Sequence, residues 1–287
     1  MNQRPEWLLD YADNTHSQMG EDGVIAKILE TIPETDRWCV EFGAWDGKYL
    51  SNVCRLIEEE DYNAILIEGD DARFSVLKSN YAKNDKVFPV NAFVGYQKKD
   101  GLDTILPSYD IPRNFDFLSI DIDGNDYHVW KAIKEYRPKV VCVEFNTTIP
   151  SEVFFVQSAK PNVSQGCSIL ALDKLAREKG YELVCVLRYN AFFVDQLYFP
   201  KFRISNNAPH VLRKDLSFVT WIFTGYDGSI HLAGCQQLPW HRMSLYEQKM
   251  QLLPRFLQHY PDNYSKSQKI LFKIFKNFRK LFRKVRL

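Results

Sequence analysis

The 287-residue chain has no Cys-x-x-Cys pair, no His-x-x-x-His or His-Glu-x-x-His spacing, no Gly-x-Ser-x-Gly elbow and no Gly-x-x-x-x-Gly-Lys-Ser/Thr loop. These absences argue against a zinc site, a serine-hydrolase nucleophile and a P-loop for nucleoside triphosphates. No hydrophobic run approaches the ~18 residues a membrane-spanning helix needs. The N-terminal MNQRPEWLLDYADN lacks the basic-then-apolar layout of a signal peptide. Of the six cysteines, Cys39, Cys142 and Cys185 sit inside apolar runs, where a thiol behaves as a small hydrophobe. That pattern predicts a reducing, cytoplasmic compartment rather than a disulfide scaffold. Internal repeats and low-complexity segments are also missing.

What is there begins with an uneven charge. The formal net charge is +1, but nine Lys/Arg and no acids lie from Lys266 onward. The body therefore keeps 28 basic residues against all 36 acidic ones, a net of −8. Such asymmetry bears on partners rather than on fold.

The apolar pattern alternates. EDGVIAKILETI has one helical face, RWCVEFG reads as a buried strand, YLSNVCRLIEEE as a helix and YNAILIEGD as a second strand. ARFSVLKSNYAKN is helical, KVFPVNAFV a third strand whose Pro89 predicts an edge, and FDFLSIDID a fourth strand. DYHVWKAIKEY and KVVCVEFN continue with a helix and a fifth strand. Strands and helices in alternation predict an α/β fold with a mostly parallel sheet covered on both faces. After Asn146 the pattern gives a helix closed by Gly180, two strands about Arg188–Tyr189–Asn190, and a hairpin at Asp227–Gly228. SLYEQKMQLLPRFLQHY predicts a helix broken at Pro254. Residues 200–216 have no clear pattern.

The loop Glu41-Phe-Gly43-Ala-Trp-Asp46-Gly47 lies between a strand and a helix, where doubly wound sheets bind ligands. Gly43 and Gly47 would let backbone approach a ligand, though a plain strand-to-helix turn needs them equally. Glu68 ends the second strand, where an acid accepts hydrogen bonds from ribose hydroxyls. With no phosphate-binding lysine pattern, an adenosine ligand without a polyphosphate fits better than ATP. Asn91, ending the third strand, would face the adenine.

VEFGAWDG, LIEGD, PVNAF, LSIDIDGNDYHVW and VVCVEFN, in that order, resemble the motifs of class I S-adenosylmethionine-dependent methyltransferases, and among them the FkbM-type branch. The resemblance covers residues 17–195, about two thirds of the chain. Trp45 stands where the wider superfamily often has a middle glycine. The resemblance implies a Rossmann-like, seven-stranded, mostly parallel sheet closed by an antiparallel C-terminal pair. It also implies S-adenosylmethionine as cofactor. Glu41, Gly43 and Gly47 would hold the cofactor's amino-acid end and Glu68 its ribose, while Ser17-Gln18 would cover it.

If strands four and five are neighbours, as in that fold, the carboxyl ends bring Asp121, Asp123, Glu144 and Asn146 together, because Ser119, Asp121 and Asp123 share one strand face and Cys142, Glu144 and Asn146 another. Three carboxylates that close do not all ionise cheaply without a cation or a proton. Two readings follow. Asp121, Asp123, Glu144 and Asn146 hold Mg²⁺ or Mn²⁺, or Asp123 or His128 acts as general base without a metal. Asn125 or Asp126 serves equally well as N-cap of the following helix, and a lone histidine such as His128 is more often structural. The Asp-x-Asp spelling also fits a metal-dependent glycosyltransferase, and a catalytically silent assembly module is the non-enzymatic alternative.

The tail, KSQKILFKIFKNFRKLFRKVRL, places Leu271, Ile274, Phe275, Phe278, Leu281, Phe282 and Val285 at spacings of three and four among the basic residues. This predicts an amphipathic helix for an anionic membrane surface through residues 266–287, in preference to nucleic acid or to docking on the body. The expected organisation is a methyltransferase core over 1–195, an appended acceptor-pocket region over 196–264 rich in aromatic residues, and the basic helix over 265–287. The expected activity is O-methylation of a sugar or glycolipid acceptor by an enzyme peripheral on the inner membrane face.

Overall fold

The computed structural model describes residues 4–283, with side chains described as far as residue 279. Val285, and the side chains of Leu281 and Phe282, lie outside the described residues. Seven strands form one sheet: β1 (Trp38–Phe42), β2 (Asn63–Glu68), β3 (Val87–Asn91), β4 (Phe117–Ile120), β5 (Val140–Glu144), β6 (Tyr181–Val186) and β7 (Asn190–Asp195). Their order is β3-β2-β1-β4-β5-β7-β6. Only β7 runs antiparallel to its neighbours. This is the Rossmann-like arrangement expected. Chain order reverses between β1 and β4, so a crevice opens at their carboxyl ends. Pro89 lies in β3 at the sheet edge, where its missing N–H leaves no ladder bond unmade.

Central strand residues are wholly buried, as a sheet covered on both faces requires: Val40, Ile65, Leu118 and Val141 have no exposed surface. The first unit's helices are α1 (Glu21–Thr31), α2 (Cys54–Glu58), α3 (Asp71–Asn80), α4 (Leu102–Ile105), α5 (Asp126–Ala132), α6 (Ile169–Glu178) and α7 (Pro209–Leu212). Asp70 caps α3 by accepting from the Ala72 and Arg73 N–H groups, and Ser168 caps α6 through the Ala171 N–H. α6 buries Ile169, Leu172 and Leu175, each contributing about 1.5–3 kcal/mol.

Two helices are shorter than their sequence patterns suggest. α2 begins only at Cys54, because Leu50 adopts φ 57° and the Ser51 and Asn52 groups turn inward to bond Glu41. α5 stops at Ala132, and two residues on the Lys134 N–H is taken by the Asp103 carboxylate.

At the amino ends of the strands, Lys139 is buried with Asp116, its Nζ donating to Asp116 (2.6 Å) and Asp36 (3.0 Å). Asp116 also accepts from the Asp36 and Arg37 N–H groups, so one ion network fixes the start of β1 against β4 and β5.

The chain divides into two compact units, Met1–Leu216 and Ser217–Leu287. The division thus falls after Leu216 rather than after residue 195. The unpatterned stretch belongs with the sheet: the Trp7 indole donates to the Phe202 carbonyl (3.0 Å), and Asn207 donates to the Glu182 carboxylate (2.7 Å). Arg213, buried, donates to the Ile149 and Thr147 carbonyls.

The second unit contains the hairpin β8 (Thr220–Thr224) and β9 (Ile230–Gly234), turning at Asp227–Gly228 as expected, then β10 (Gln237–Leu238), β11 (Met243–Ser244), α8 (Glu247–Met250) and α9 (Lys266–Arg283). The helix expected across residues 244–260 is reduced to α8 and a single turn at Arg255–Leu257. Glu247 and Gln251 spend their side chains on β9 backbone, accepting from the Leu232 and Ile230 N–H groups (2.8 and 2.9 Å). No helix among the described residues is long and apolar enough to cross a membrane.

Candidate active site

The loop after β1 is a tight turn held from both sides. Gly43 and Ala44 donate to the Ile67 carbonyl, and Gly47 to Ala44 (2.7 Å). Gly43 has φ 75°, Trp45 φ 50° and Gly47 φ 76°, three separate left-handed positions that the glycines accept and Trp45 endures. The glycines serve the chain itself. A Cβ on Gly43 would stand 2.0 Å from the Asp121 carbonyl oxygen, so the loops after β1 and β4 touch at the switch point. A Cβ on Gly47 would meet Leu77 and Tyr81 of the α3 region at 2.6 Å.

Glu68 is buried at the end of β2 and clasps this turn: one carboxylate oxygen accepts from the Trp45 N–H and the other from the Asp70 N–H, both at 2.8 Å. Each oxygen keeps a lone pair for a hydroxyl. Asn91 pairs with Glu68 across β2 and β3 and donates its amide to Asp71 (2.7 Å). Exposed Trp45 carries the Arg73 guanidinium 4.0 Å above its ring. Gln18 is exposed, its N–H bonded to Glu21, while Asp22 collects the Thr15, His16 and Ser17 N–H groups on one oxygen. The lead-in loop is therefore shaped by two buried acids of α1.

Glu41, on β1, is buried under Ser51 and Asn52, accepting from the Ser51 hydroxyl (2.6 Å) and the Asn52 N–H (2.8 Å). Burial pushes its carboxyl up to about 7, against these donors and Ser119, which pull it down. Below pH 4.5 both folded and unfolded chains hold this proton. Between pH 4.5 and 7 the folded chain keeps it and the unfolded chain releases it, so stability falls as pH rises through that window. Glu41→Gln, neutral at every pH, is expected to gain about 3 kcal/mol over the parent between pH 4.5 and 8. Urea melts of cofactor-free protein at the two pH values measure the gain, and parallel pH curves would refute it.

The strand pairing puts Ser119 beside Cys142 and carries Asp121 beside Glu144. The expected faces hold there, with the Asn52 amide reaching Ser119 (3.0 Å). They fail at Asp123, because β4 ends at Ile120 and Asp123 turns through φ 56°. The turn nevertheless returns its carboxylate to the cluster: oxygens of Asp121, Asp123 and Glu144 lie within 4.8 Å of one another. Burial and the charges of Asp126, Asp123 and Glu41 raise Asp121 to about 7, opposed by its hydrogen bond with Glu144. Glu144 lies well above the ordinary range, through burial and then the Asp121 charge.

Asn146 is not free to join them. Its amide oxygen accepts from both the Thr148 N–H and hydroxyl, and its nitrogen donates to the Gln165 carbonyl. Capping does not explain Asn125 and Asp126 either. Asn125 occupies the N-cap position, but its side chain bonds Gln157 and the Lys160 carbonyl instead. Asp126, buried, accepts from the Ile122 and Gly124 N–H groups (2.8 and 2.9 Å) and so folds the acid turn back on itself.

His128 lies against Tyr96 and Tyr127, and its Nε2 is 2.8 Å from the Gln157 carbonyl oxygen. A carbonyl only accepts, so Nε2 carries a proton and Nδ1 is the basic atom of the neutral ring.

Sequence reasoning overlooked Gln157. Buried, it donates to Asn125 and the Val163 carbonyl and accepts from the Gln165 and Gly166 N–H groups, closing residues 157–166 over Gly124. Asn190, paired with Glu144 and donating to buried Glu21, was likewise hidden. Neither lies in a motif, and both act only through tertiary contact. A cavity of about 590 Å³ beside Ala26, Leu29, Arg37 and Tyr62 opens at the amino ends of β1 and β2, away from this chemistry.

The model of the methyltransferase FkbM domain matches residues 42–183. No curated protein matches the chain. Among solved structures, the O-methyltransferase from Bacillus cereus in complex with SAH is 18% identical, over 67% of this chain and 90% of that one, with a TM-score of 0.44. A SAM-dependent methyltransferase from Aquifex aeolicus is 12% identical over 66% and 96%, with a TM-score of 0.37. Through residues 42–183, which hold the clasped turn, Glu68 and the acid turn, the chain belongs to the FkbM family of S-adenosylmethionine-dependent methyltransferases.

Proposed function

We propose that the protein methylates a hydroxyl oxygen, with Asp121 as the proton acceptor and a sugar as the acceptor class. S-adenosylmethionine supplies a methyl group on a positively charged sulfur. The donor set fits it: Glu68 has lone pairs for ribose hydroxyls, and the ionised forms of buried Glu41 and half-buried Asp121, which desolvation disfavours, would be relieved by a cation. Gly43 and Gly47 would shape the turn that receives it, Asn91 would lie toward the adenine and Gln18 would cover it. The observation carrying the reading is Asp121, an acid brought to about 7 at the switch point, where a general base works best at neutral pH. His128, with a basic Nδ1, is the second base candidate. A sugar acceptor is supported by the exposed aromatic faces of Trp221, Phe223 and Trp240 in the second unit.

A second reading rests on the three oxygens of Asp121, Asp123 and Glu144, a donor set suited to Mg²⁺ or Mn²⁺, which would lower the pKa of a bound hydroxyl. The family membership removes the glycosyltransferase interpretation of the same acids.

S-adenosylhomocysteine in excess is expected to raise the melting temperature by a few degrees, because it binds only the folded chain. No shift at millimolar ligand would favour the catalytically silent module instead. Loss of methyl transfer in EDTA, restored by Mn²⁺, selects the metal reading, and indifference to EDTA selects the metal-free base.

A further inference from the structure

α9 has three faces where the sequence pattern suggests two. Gln268, Phe272 and Phe275 are half-buried: the Phe272 ring packs on Tyr264 (5.6 Å between centroids), and Gln268 donates to the Phe256 carbonyl (2.8 Å). This face docks the helix on its own unit. Lys266, Lys269, Lys273 and Lys276 recur at three and four residues along a second face, all exposed. Ile270, Leu271 and Ile274 lie on a third, 62%, 45% and 61% exposed.

We propose that the lysine face and the aliphatic face together seat α9 on an anionic phospholipid surface. The docking role is already filled by Phe272 and Phe275, so folding of the second unit does not account for the aliphatic strip beside the lysines. Nucleic acid would satisfy the lysines and leave Ile270, Leu271 and Ile274 in water. A bilayer surface satisfies both faces at once, lipid phosphates meeting the ammonium groups and the headgroup–acyl boundary taking the aliphatic side chains. No acid from Lys266 onward opposes that approach. The helix lies on the surface and does not cross it.

The test is co-sedimentation of the full chain with vesicles of phosphatidylglycerol and phosphatidylcholine, and with phosphatidylcholine alone, in physiological salt. Affinity for the anionic vesicles should exceed that for neutral ones at least about tenfold and fall at high salt. Ile270→Ser/Leu271→Ser/Ile274→Ser should weaken binding about tenfold or more without changing the melting temperature. Lys266→Gln/Lys269→Gln/Lys273→Gln/Lys276→Gln should erase the preference for anionic lipid. A parent protein that stays in the supernatant overturns the proposal, as does a triple serine variant that binds undiminished. So does self-association that the serine variant abolishes in the absence of vesicles. S-adenosylhomocysteine binding is unaffected in either case, so this result stands apart from the methyl-transfer assignment.

Discussion

Asp121→Asn is expected to lower methyl transfer by about 10²–10⁴-fold while leaving S-adenosylhomocysteine binding within a few-fold of the parent. The substitution preserves shape and leaves the Asp121 backbone carbonyl against Gly43, so the turn that shapes the cofactor site keeps its packing. What it removes is the ability to accept a proton. Burial and the neighbouring acids bring Asp121 to about 7, so the parent's rate should climb through neutrality as this group ionises. The variant's residual rate should lose that limb. Single-turnover rates from pH 5.5 to 9, with cofactor binding measured separately, distinguish a lost base from a damaged site. Full activity in Asp121→Asn would move the role to His128, whose Nδ1 is the other basic atom in the region.

Gly43→Ala is expected to destabilise the fold by about 3 kcal/mol and to abolish cofactor binding. The added carbon would sit 2.0 Å from a backbone oxygen, and that oxygen cannot swing aside as a side-chain tip can. Neither partner can retreat. Phe42 and Ile120 are paired in the sheet immediately before the two loops, and the Gly43 and Ala44 N–H groups are fixed on Ile67. The residue also holds φ 75°, which costs an L-residue about 1–2 kcal/mol before any contact. Gly47→Ala should be milder, since its obstacles are the side chains of Leu77 and Tyr81. Urea denaturation of the two variants gives the ranking, and a Gly43→Ala protein as stable as the parent would show that the loops do not touch as described.

Much of this was readable because the informative residues carry their chemistry locally. Strands such as AILIEGD declare both their burial and the acid at their end, and Asp227–Gly228 names its own turn. The motif order named the family as well. Failures arose where a side chain's partner lies far along the chain. Ser51 and Asn52 look helical until Glu41 claims them, and Glu247 and Gln251 until β9 does. Asp126 reads as a cap because short acids usually are, yet its partners are the N–H groups behind it. Periodicity placed Asp123 on the right face for the wrong reason, since the chain leaves the strand and a left-handed turn brings the carboxylate back.

Gln157 has one more consequence. Its single amide group satisfies Asn125, Val163, Gln165 and Gly166 at once, so no one of those bonds can be given up without stranding a buried polar atom. Residues 157–166, mostly exposed, are tied to the body through that one side chain. One buried amide therefore anchors the segment that stands over Gly124, the residue that follows the acid turn.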